Sequence, residues 1–430
     1  MPATSNQSRV SPARACALRV IRRVFEQGAY ADRAFAGEAA GLNPRDRALA
    51  MALSYGTVQR RATLDYVAAE LTDRPLGRLQ PPVLAALRLG LFELLYLGGT
   101  AAHAAVNESV ELVKRSSPNA AGLLNAVLRR AAREGQGLLE RLDDDTPAAA
   151  AVLHSVPQWL AERWWSELGA EEARSLLRVI NDPAESALRV NPLVATVAEV
   201  AAALPVSSCP APDLPEGLVV EGAFDAAGSE LWAAGAIQPQ ARASMLVSRI
   251  LEPIPGDRVL DLCAAPGGKT THLAALIENR GEVVAVERHP GRAAALERTR
   301  ARMRASCVRV EVGDAATART DGPYDRVLVD PPCSGLGTLQ SRPDLRWRAR
   351  PEAIGELAAL QAGILAAGGR ALRPGGALVY SVCTISRAES EDVVDGFLRE
   401  HGDFSAERRF RLLPHRDGTD GFFIARLRRA

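Results

Sequence analysis

The sequence feature that most constrains the fold is a glycine turn between a short apolar run and a segment with helical spacing. The turn lies in Asp261-Leu262-Cys263-Ala264-Ala265-Pro266-Gly267-Gly268-Lys269-Thr270, between residues 258–260 and residues 271–277. This order predicts a strand, a turn and a helix. Two glycines let the backbone approach a ligand, and free N–H groups at a helix start favour a carboxylate or a phosphate. The spacing matches neither the G-x-G-x-x-G nor the full P-loop pattern, which argues against nicotinamide and ATP.

Four later apolar runs also end in polar or reactive residues. They are residues 282–286 before Glu287, 308–312 before Asp314, 325–329 before Asp330 and Cys333, and 377–382 before Cys383. Together with the first run they predict an open, doubly wound α/β sheet, which places ligands at the carboxyl ends of its strands. Glu287, at the end of the second strand, is the expected partner of ribose hydroxyls.

Three motifs closely resemble those of the S-adenosylmethionine-dependent RNA cytosine-C5 methyltransferases, in the expected order. They are residues 261–270, Asp330-Pro331-Pro332-Cys333-Ser334-Gly335 and Tyr380-Ser381-Val382-Cys383-Thr384. The resemblance implies a Rossmann-like methyltransferase domain over residues 237–430, with S-adenosylmethionine as cofactor. The cofactor-binding residues it implies are Cys263, Ala264, Ala265, Pro266, Gly267, Gly268, Lys269, Glu287, Asp314 and Asp330.

Two cysteines at strand ends suit the chemistry of this family. Carbon 5 of cytosine is not nucleophilic, but it becomes so when a thiolate adds to carbon 6, and a second group must then assist elimination. The spacing of Cys333 and Cys383 does not show which of them attacks. The resemblance implies that Cys383 attacks and Cys333 assists release, with Lys269 and Asp330 contacting the base as well as the cofactor. The alternative for Lys269 and Asp330 is a structural ion pair.

Residues 1–140 are predicted to form an all-α bundle, because apolar stripes recur at helical spacing without strand alternation. Residues 105–112 and 124–130 resemble the bundle of the antitermination factor NusB, which is fused to one bacterial branch of the methyltransferases. This segment carries 18 Arg and Lys against 12 Asp and Glu. The basic excess and the resemblance predict an RNA-binding domain, and the alternative is a packing domain without RNA contact.

Residues 141–236 are predicted to contain a linker and a small α+β module. The phrase Arg189-Val190-Asn191-Pro192 is similar to the module that precedes the family's catalytic domain and helps to hold RNA. Downstream, residues 342–348 match the family's loop after the first cysteine. Its three arginines suit phosphates, and a plain solvated loop is the alternative.

Composition sets limits on location and ligands. The 430 residues suit two or three domains, and the six cysteines include no C-x-x-C pair, so no zinc site or disulfide framework is predicted. Cys16, Cys209 and Cys307 are expected to pack as small hydrophobic residues. Because the sequence has no apolar signal region and no apolar stretch long enough to span a membrane, the chain is expected to be a cytoplasmic protein. It is also expected to be a monomer. Residues 1–8, which are polar, are expected to be disordered.

The sequence therefore predicts methylation of cytosine C5 in 16S ribosomal RNA, because the helical bundle occurs in that branch. The alternatives are a transfer-RNA methyltransferase of similar chemistry and a non-catalytic RNA-binding assembly factor.

Overall fold

The computed structural model describes residues 10–99, 101–114, 116–222, 224–317 and 322–430. The expectation for residues 1–8 lies outside these ranges. The chain divides into two compact units, residues 1–182 with 339–349 and residues 183–338 with 350–430. The domain boundaries predicted after residues 140 and 236 stay predictions. None of the described helices is both long and apolar enough to cross a membrane.

The first unit is helical throughout its described residues. Its helices before the second unit begins are α1 (Pro12–Gln27), α2 (Ala31–Glu38), α3 (Pro44–Gln59), α4 (Arg61–Glu70), α5 (Pro81–Leu95), α6 (Ala102–Lys114), α7 (Ala121–Leu139), α8 (Pro147–Leu153), α9 (Gln158–Leu168) and α10 (Ala170–Val179). Fully buried leucines such as Leu53, Leu64, Leu89 and Leu128 form its core. The prediction of an all-α bundle for residues 1–140 is confirmed.

The second unit begins with a small antiparallel sheet. Its strands are β1 (Ala187–Val190), β2 (Ser208–Pro210), β3 (Gly217–Val220) and β4 (Ile237–Pro239), accompanied by α11 (Val197–Ala203) and α12 (Glu230–Ala233). The strand order is β2-β3-β1-β4. After β1, the Asn191 amide donates hydrogen bonds to the Gly235 carbonyl at 3.0 Å and the Met303 carbonyl at 2.8 Å. The predicted α+β module is confirmed.

A seven-stranded sheet forms the rest of the second unit. Its strands are β5 (Arg258–Leu262), β6 (Glu282–Glu287), β7 (Val308–Val312), β8 (Tyr324–Val329), β9 (Leu372–Val382), β10 (Phe404–Leu412) and β11 (Phe422–Arg429). The helices after the small sheet are α13 (Arg242–Leu251), α14 (Gly268–Leu276), α15 (Pro290–Arg302), α16 (Leu345–Arg348, in the first unit), α17 (Pro351–Ala371), α18 (Glu391–Glu400) and α19 (Pro414–Asp417).

The order of this sheet is β10-β11-β9-β8-β5-β6-β7. The five predicted strands pair in parallel, and β11 and β10 extend the sheet antiparallel from β9. The α/β prediction is confirmed, but the sequence analysis missed the last two strands. In an open sheet of this kind, ligands bind where the strand order reverses. Here β5 lies between β8 and β6, so the reversal point is at the carboxyl ends of β5 and β8.

A buried acid–base pair connects α14 to the residue that precedes β3. His272, 1 % exposed, contacts Glu216 Oε1 through Nε2 at 2.6 Å. Burial is the largest influence on the His272 pKa and lowers it to about 4, although the hydrogen bond that Glu216 accepts from the imidazole acts to raise it. Burial acts to raise the pKa of Glu216, but hydrogen bonds from His272 and Arg249 outweigh it and hold that pKa well below its usual range.

We expect the His272→Gln variant to be less sensitive to acid than the unaltered protein. Unfolded His272 takes up a proton near its ordinary pKa of 6.5, whereas folded His272 does so only near 4. Falling pH therefore favours the unfolded state through this window. The free energy of unfolding should fall between pH 6.5 and pH 4 in both proteins, but in the variant that lacks the imidazole it should fall by about 2 kcal/mol less. Urea unfolding at both pH values measures this, with His103→Gln, at an exposed position, as the control. An unchanged pH dependence in His272→Gln would contradict the prediction.

Candidate active site

The glycine turn connects β5 to α14 as predicted. Gly267, just before α14, has a φ of 103°. A Cβ atom there would lie 2.6 Å from Leu296 Cδ1, so both the backbone angle and the packing require glycine. A Cβ atom on Gly268 would meet only Gln240, at 3.8 Å. Its role in a close approach to a ligand stays a prediction.

A pocket opens beside this turn at the carboxyl ends of β6 and β7. Its lining consists of Cys263, Val286, Glu287, Arg288, His289, Arg292, Asp314, Ala315, Pro332, Leu360 and Ile364. Three predicted cofactor-binding residues, Cys263, Glu287 and Asp314, are therefore brought together. The other residues that line the pocket were not predicted from the sequence. Arg292 and His289 follow Glu287 closely enough to have been suspected, but Leu360 and Ile364 carry no sequence signal because they belong to the apolar face of α17.

The carboxylates of this pocket are held by the backbone. Glu287 is 3 % exposed; its Oε1 accepts from the His289 N–H at 2.9 Å, and its Oε2 lies 3.6 Å from Arg292 Nε. Asp314 Oδ1 accepts from the Ala316 N–H at 3.0 Å. Both acceptors are fixed in direction at the rim of one pocket.

The remaining residues of the turn have different surroundings. Ala264 and Ala265 are buried in the hydrophobic core, whereas Pro266 is exposed. Arg292 Nη2 donates to the Ala265 carbonyl at 2.8 Å, which links the turn to the pocket. Burial raises the pKa of the Cys263 thiol to about 12, so this thiol stays protonated at neutral pH.

Lys269 and Asp330 form an ion pair at the reversal point of the sheet. Lys269 Nζ lies 2.8 Å from Asp330 Oδ2, and Ser381 Oγ donates to Asp330 Oδ1 at 2.8 Å. Burial acts to lower the pKa of Lys269, but the charge and hydrogen bond of Asp330 outweigh it and raise that pKa. The ammonium is therefore charged, and the aspartate carries ordered donors on both oxygens.

The two candidate cysteines are in contact. Cys333 Sγ and Cys383 Sγ lie 3.3 Å apart. The hydrogen bond with Cys383, followed by burial, raises the pKa of Cys333 well above its usual value. Two thiolates at this distance would repel each other strongly. The geometry therefore favours one thiolate and one thiol.

The arginine-rich segment 342–348 does not match the phosphate-binding prediction at its centre. Arg346 is fully buried in the first unit, where its guanidinium donates to Asn181 Oδ1 at 2.8 Å, the Ser155 carbonyl at 3.0 Å and the Leu339 carbonyl at 3.1 Å. Arg348 donates to the Gly28 carbonyl and lies over the Tyr30 ring. The prediction of phosphate binding was wrong for Arg346, as was the alternative of a solvated loop there. The guanidinium is fully buried, and both of its NH₂ groups already have acceptors inside the protein.

The other cysteines differ in their surroundings. Cys16 is buried and Cys307 is half-buried, but Cys209 is exposed, so the expectation of core packing was wrong for Cys209. Its position in β2, at the edge of the small sheet, explains the exposure. Among the described residues, no group of three or more His, Cys, Asp or Glu is arranged to hold a metal ion.

Family models match three successive parts of the chain. Residues 11–133 match the NusB family, residues 156–227 match the RsmF/B-like ferredoxin-like domain, and residues 248–428 match the 16S rRNA methyltransferase RsmB/F family. A probable ribosomal RNA small subunit methyltransferase B of Synechocystis is 36 % identical over 97 % of this chain and 99 % of its own length. The ribosomal RNA small subunit methyltransferase B of Thermus thermophilus is 38 % identical over 90 % of this chain and 89 % of its own.

Two solved structures are also similar. The crystal structure of PH0851 has a TM-score of 0.82 and 28 % identity, and the match covers 98 % of this chain and 99 % of that one. The structure of NSun6 from Pyrococcus horikoshii with SFG, an analogue of S-adenosylmethionine, has a TM-score of 0.61 and 25 % identity, over 64 % of this chain and 99 % of that one. The Synechocystis and Thermus proteins match at least 90 % of this chain and are more than 30 % identical to it. The chain therefore belongs to the ribosomal RNA small subunit methyltransferase B family.

Proposed function

We propose that this protein methylates carbon 5 of a cytosine in 16S ribosomal RNA, with S-adenosylmethionine as the methyl donor. The observation that carries the proposal is the 3.3 Å contact between Cys333 and Cys383 at the edge of the sheet that also presents the Lys269–Asp330 pair. Methyl transfer to a nucleophilic nitrogen or oxygen needs no thiol. Two thiols in contact suit the harder case of carbon 5, which needs both an attacking thiolate and help with elimination.

The pocket beside the glycine turn fits the proposed cofactor. Glu287 and Asp314 offer carboxylate oxygens for ribose hydroxyls, and Val286, Ala315 and Ile364 offer an apolar wall for a base. The NSun6 relative was solved with an analogue of this cofactor. When bound, S-adenosylmethionine supplies an electrophilic methyl group to carbon 5.

The charges around the two thiols support Cys383 as the nucleophile. Lys269 and Cys383 interact electrostatically, and the ammonium favours a thiolate on Cys383. The Glu389 carboxylate disfavours charge on Cys333, as does the contact with Cys383 itself. Thiolate Cys383 adds to carbon 6 of the cytosine. Carbon 5 would then take the methyl group from the cofactor, whose sulfur keeps the electron pair of the broken bond. Cys333, no longer hydrogen-bonded to a thiolate, would lose its own proton to water and accept the proton of carbon 5. The bond between sulfur and carbon 6 then breaks and the Cys383 thiolate returns.

We infer that Asp330 recognises the base as well as holding Lys269. With Ser381 and Lys269 each donating to one oxygen, its carboxylate keeps a fixed orientation. It can accept a hydrogen bond from the exocyclic amine of cytosine or stabilise a proton on N3, and either interaction makes carbon 6 easier to attack. This fixed orientation supports a part for the ion pair in the proposed function.

Ribosomal RNA as the substrate rests on the relatives and on the first unit. The Synechocystis and Thermus proteins bear the name of small subunit rRNA methyltransferases. Residues 11–133 match the NusB family, and residues 1–140 carry the basic excess noted above. We infer that this part of the chain contributes RNA affinity, while the second unit carries the chemistry.

Bisulfite sequencing of total RNA from a deletion strain tests the proposal and names the nucleotide. One 16S position should lose its protection from bisulfite and regain it when the unaltered gene is restored, but not with a Cys383→Ala gene. A lost position in transfer RNA would establish the alternative substrate. No lost position, together with no heat of S-adenosylmethionine binding in calorimetry, would favour a non-catalytic assembly factor.

We expect the Glu287→Ala variant to bind S-adenosylmethionine about 1.5–3 kcal/mol more weakly for each charged hydrogen bond that it loses. The carboxylate is buried at the pocket, and alanine offers no acceptor for ribose hydroxyls. Calorimetry with the cofactor alone measures the change. Glu282→Ala, at the other end of β6, is the matched control and should leave affinity unchanged. Equal affinity in the two variants would rule out the assignment of Glu287.

A further inference from the structure

A fully buried carboxylate lies near the cysteine pair and takes no step in the reaction described so far, in which its one effect is to disfavour charge on Cys333. Glu389 ends the single 3-10 turn Arg387–Glu389, six residues after Cys383, and is 0 % exposed. Burying a carboxylate costs several kcal/mol unless hydrogen-bond donors surround it. The identity of those donors therefore shows what the residue does.

The donors belong to the residues that follow the two cysteines. Ser334, next to Cys333, donates its N–H to Glu389 Oε1 at 2.8 Å and its hydroxyl to Oε2 at 2.6 Å. Thr384, next to Cys383, donates its hydroxyl to Oε2 at 3.2 Å. The Ser334 and Thr384 hydroxyl oxygens are themselves 2.9 Å apart. One carboxylate thus joins two loops that are 50 residues apart in the sequence.

Two further side chains make this junction rigid. Gln361 Nε2 donates to Glu389 Oε1 at 3.2 Å and to the Pro332 carbonyl at 2.9 Å. The Tyr380 hydroxyl donates to the Glu389 carbonyl at 2.7 Å. The residues before and after Cys333 are therefore both fixed to Glu389 or to its partner Gln361, and so is the strand that leads to Cys383.

We propose that Glu389 is a positioning residue that holds the Cys333 and Cys383 thiols within reach of each other. A charge-assisted hydrogen bond to each loop is strong and directional, so the carboxylate sets their separation. The proposal deepens the proposed function, because that function uses both thiols. The distance between the thiols can nevertheless be tested without RNA, cofactor or methyl transfer.

Phenylarsine oxide is the probe, because its arsenic forms two As–S bonds and releases one water molecule only where two thiols lie close together. The unaltered protein should bind it through Cys333 and Cys383, and Cys333→Ala defines the background from other cysteines. Glu389→Ala should bind it at least about tenfold more weakly. After the first As–S bond has formed, the second forms readily only if the other thiol is held close by, and the variant no longer joins the two loops. Glu389→Gln, which keeps the shape and an acceptor oxygen, should restore binding. Single-thiol alkylation rates, measured in parallel, show that both thiols stay accessible.

Glu391→Gln is the matched control, because Glu391 pairs with Arg411 and not with either cysteine loop. It should bind the arsenical like the unaltered protein. If Glu389→Ala does not fold, the double variant Ser334→Ala with Thr384→Val removes both hydroxyl connections, including the one from the Cys383 loop, and leaves the carboxylate and the N–H of residue 334 in place. Unchanged binding in the folded Glu389→Ala or in the double variant would overturn the proposal, as would an equal loss in Glu391→Gln. Absence of 5-methylcytosine in the sequencing experiment would refute the proposed function and leave this result standing.

Discussion

The Cys383→Ala variant is expected neither to methylate 16S ribosomal RNA nor to form an RNA adduct that survives denaturing electrophoresis. Without the attacking thiolate, carbon 5 never becomes nucleophilic, so the rate should fall by about 10⁴-fold or more. Cys333, 3.3 Å away, does not replace it in our assignment, because burial and the Glu389 charge still act to raise its pKa when Cys383 is absent. Labelled RNA and a denaturing gel measure the adduct, and tritium transfer from labelled S-adenosylmethionine measures methylation.

Unlike Cys383→Ala, the Cys333→Ala variant is expected to form a covalent RNA adduct and to retain it. Cys383 can still attack carbon 6 and carbon 5 can still be methylated, but elimination loses its assisting group. Protein crosslinked to methylated RNA should therefore accumulate on the same gel. Cys209→Ala, at the exposed cysteine of the small sheet, is the control and should release its RNA normally.

The opposite pattern, with an adduct from Cys383→Ala and none from Cys333→Ala, would reverse the two roles. Intact methylation without an adduct in both variants would end the covalent mechanism. Each result is visible without a rate comparison, because the variants differ in which species remains on the gel.

Local patterns were sufficient to predict the elements that carry the site. The turn at Gly267 and the apolar runs before Glu287, Asp330 and Cys383 each follow from spacing within a few residues. The parallel order then brings Lys269 to Asp330 and Cys333 to Cys383, as an open sheet requires of its strand ends.

Contacts without a local pattern were missed. Strand β10 exposes most of its residues and carries four charged side chains among its nine, as sheet edges do, so it lacks the alternation that marks a strand. Glu389 looks like any helix-flanking glutamate until the fold brings Ser334 to it. Arg346 looks like a phosphate ligand until two of its acceptors, Ser155 and Asn181, more than 160 residues away in the sequence, are known.

The placement of residues 339–349 changes how the role of the helical bundle can be tested. This segment belongs to the first unit, although the chain before and after it belongs to the second. Trp347 donates its indole N–H to the Val58 carbonyl at 2.7 Å, and the Arg346 guanidinium is enclosed by carbonyls of the same unit. Deleting residues 1–140 would therefore remove the partner of the Trp347 indole and the Thr63 hydroxyl, which donates to the Val152 carbonyl at 2.6 Å. Point substitution is the sounder experiment.

We expect the Arg346→Met variant to destabilise the first unit by about 3–5 kcal/mol, because methionine leaves several buried acceptors without a donor. Those acceptors are Asn181 Oδ1 and the carbonyls of Ser155 and Leu339. Four of the five tryptophans, Trp159, Trp164, Trp165 and Trp347, lie in the first unit, so tryptophan fluorescence during urea unfolding reports mainly on it. Arg342→Met, at an exposed position in the same segment, is the matched control and should shift the unfolding midpoint little. Equal unfolding midpoints for the two variants would mean that the buried Arg346 guanidinium contributes no more to the stability of the first unit than the exposed Arg342 guanidinium does.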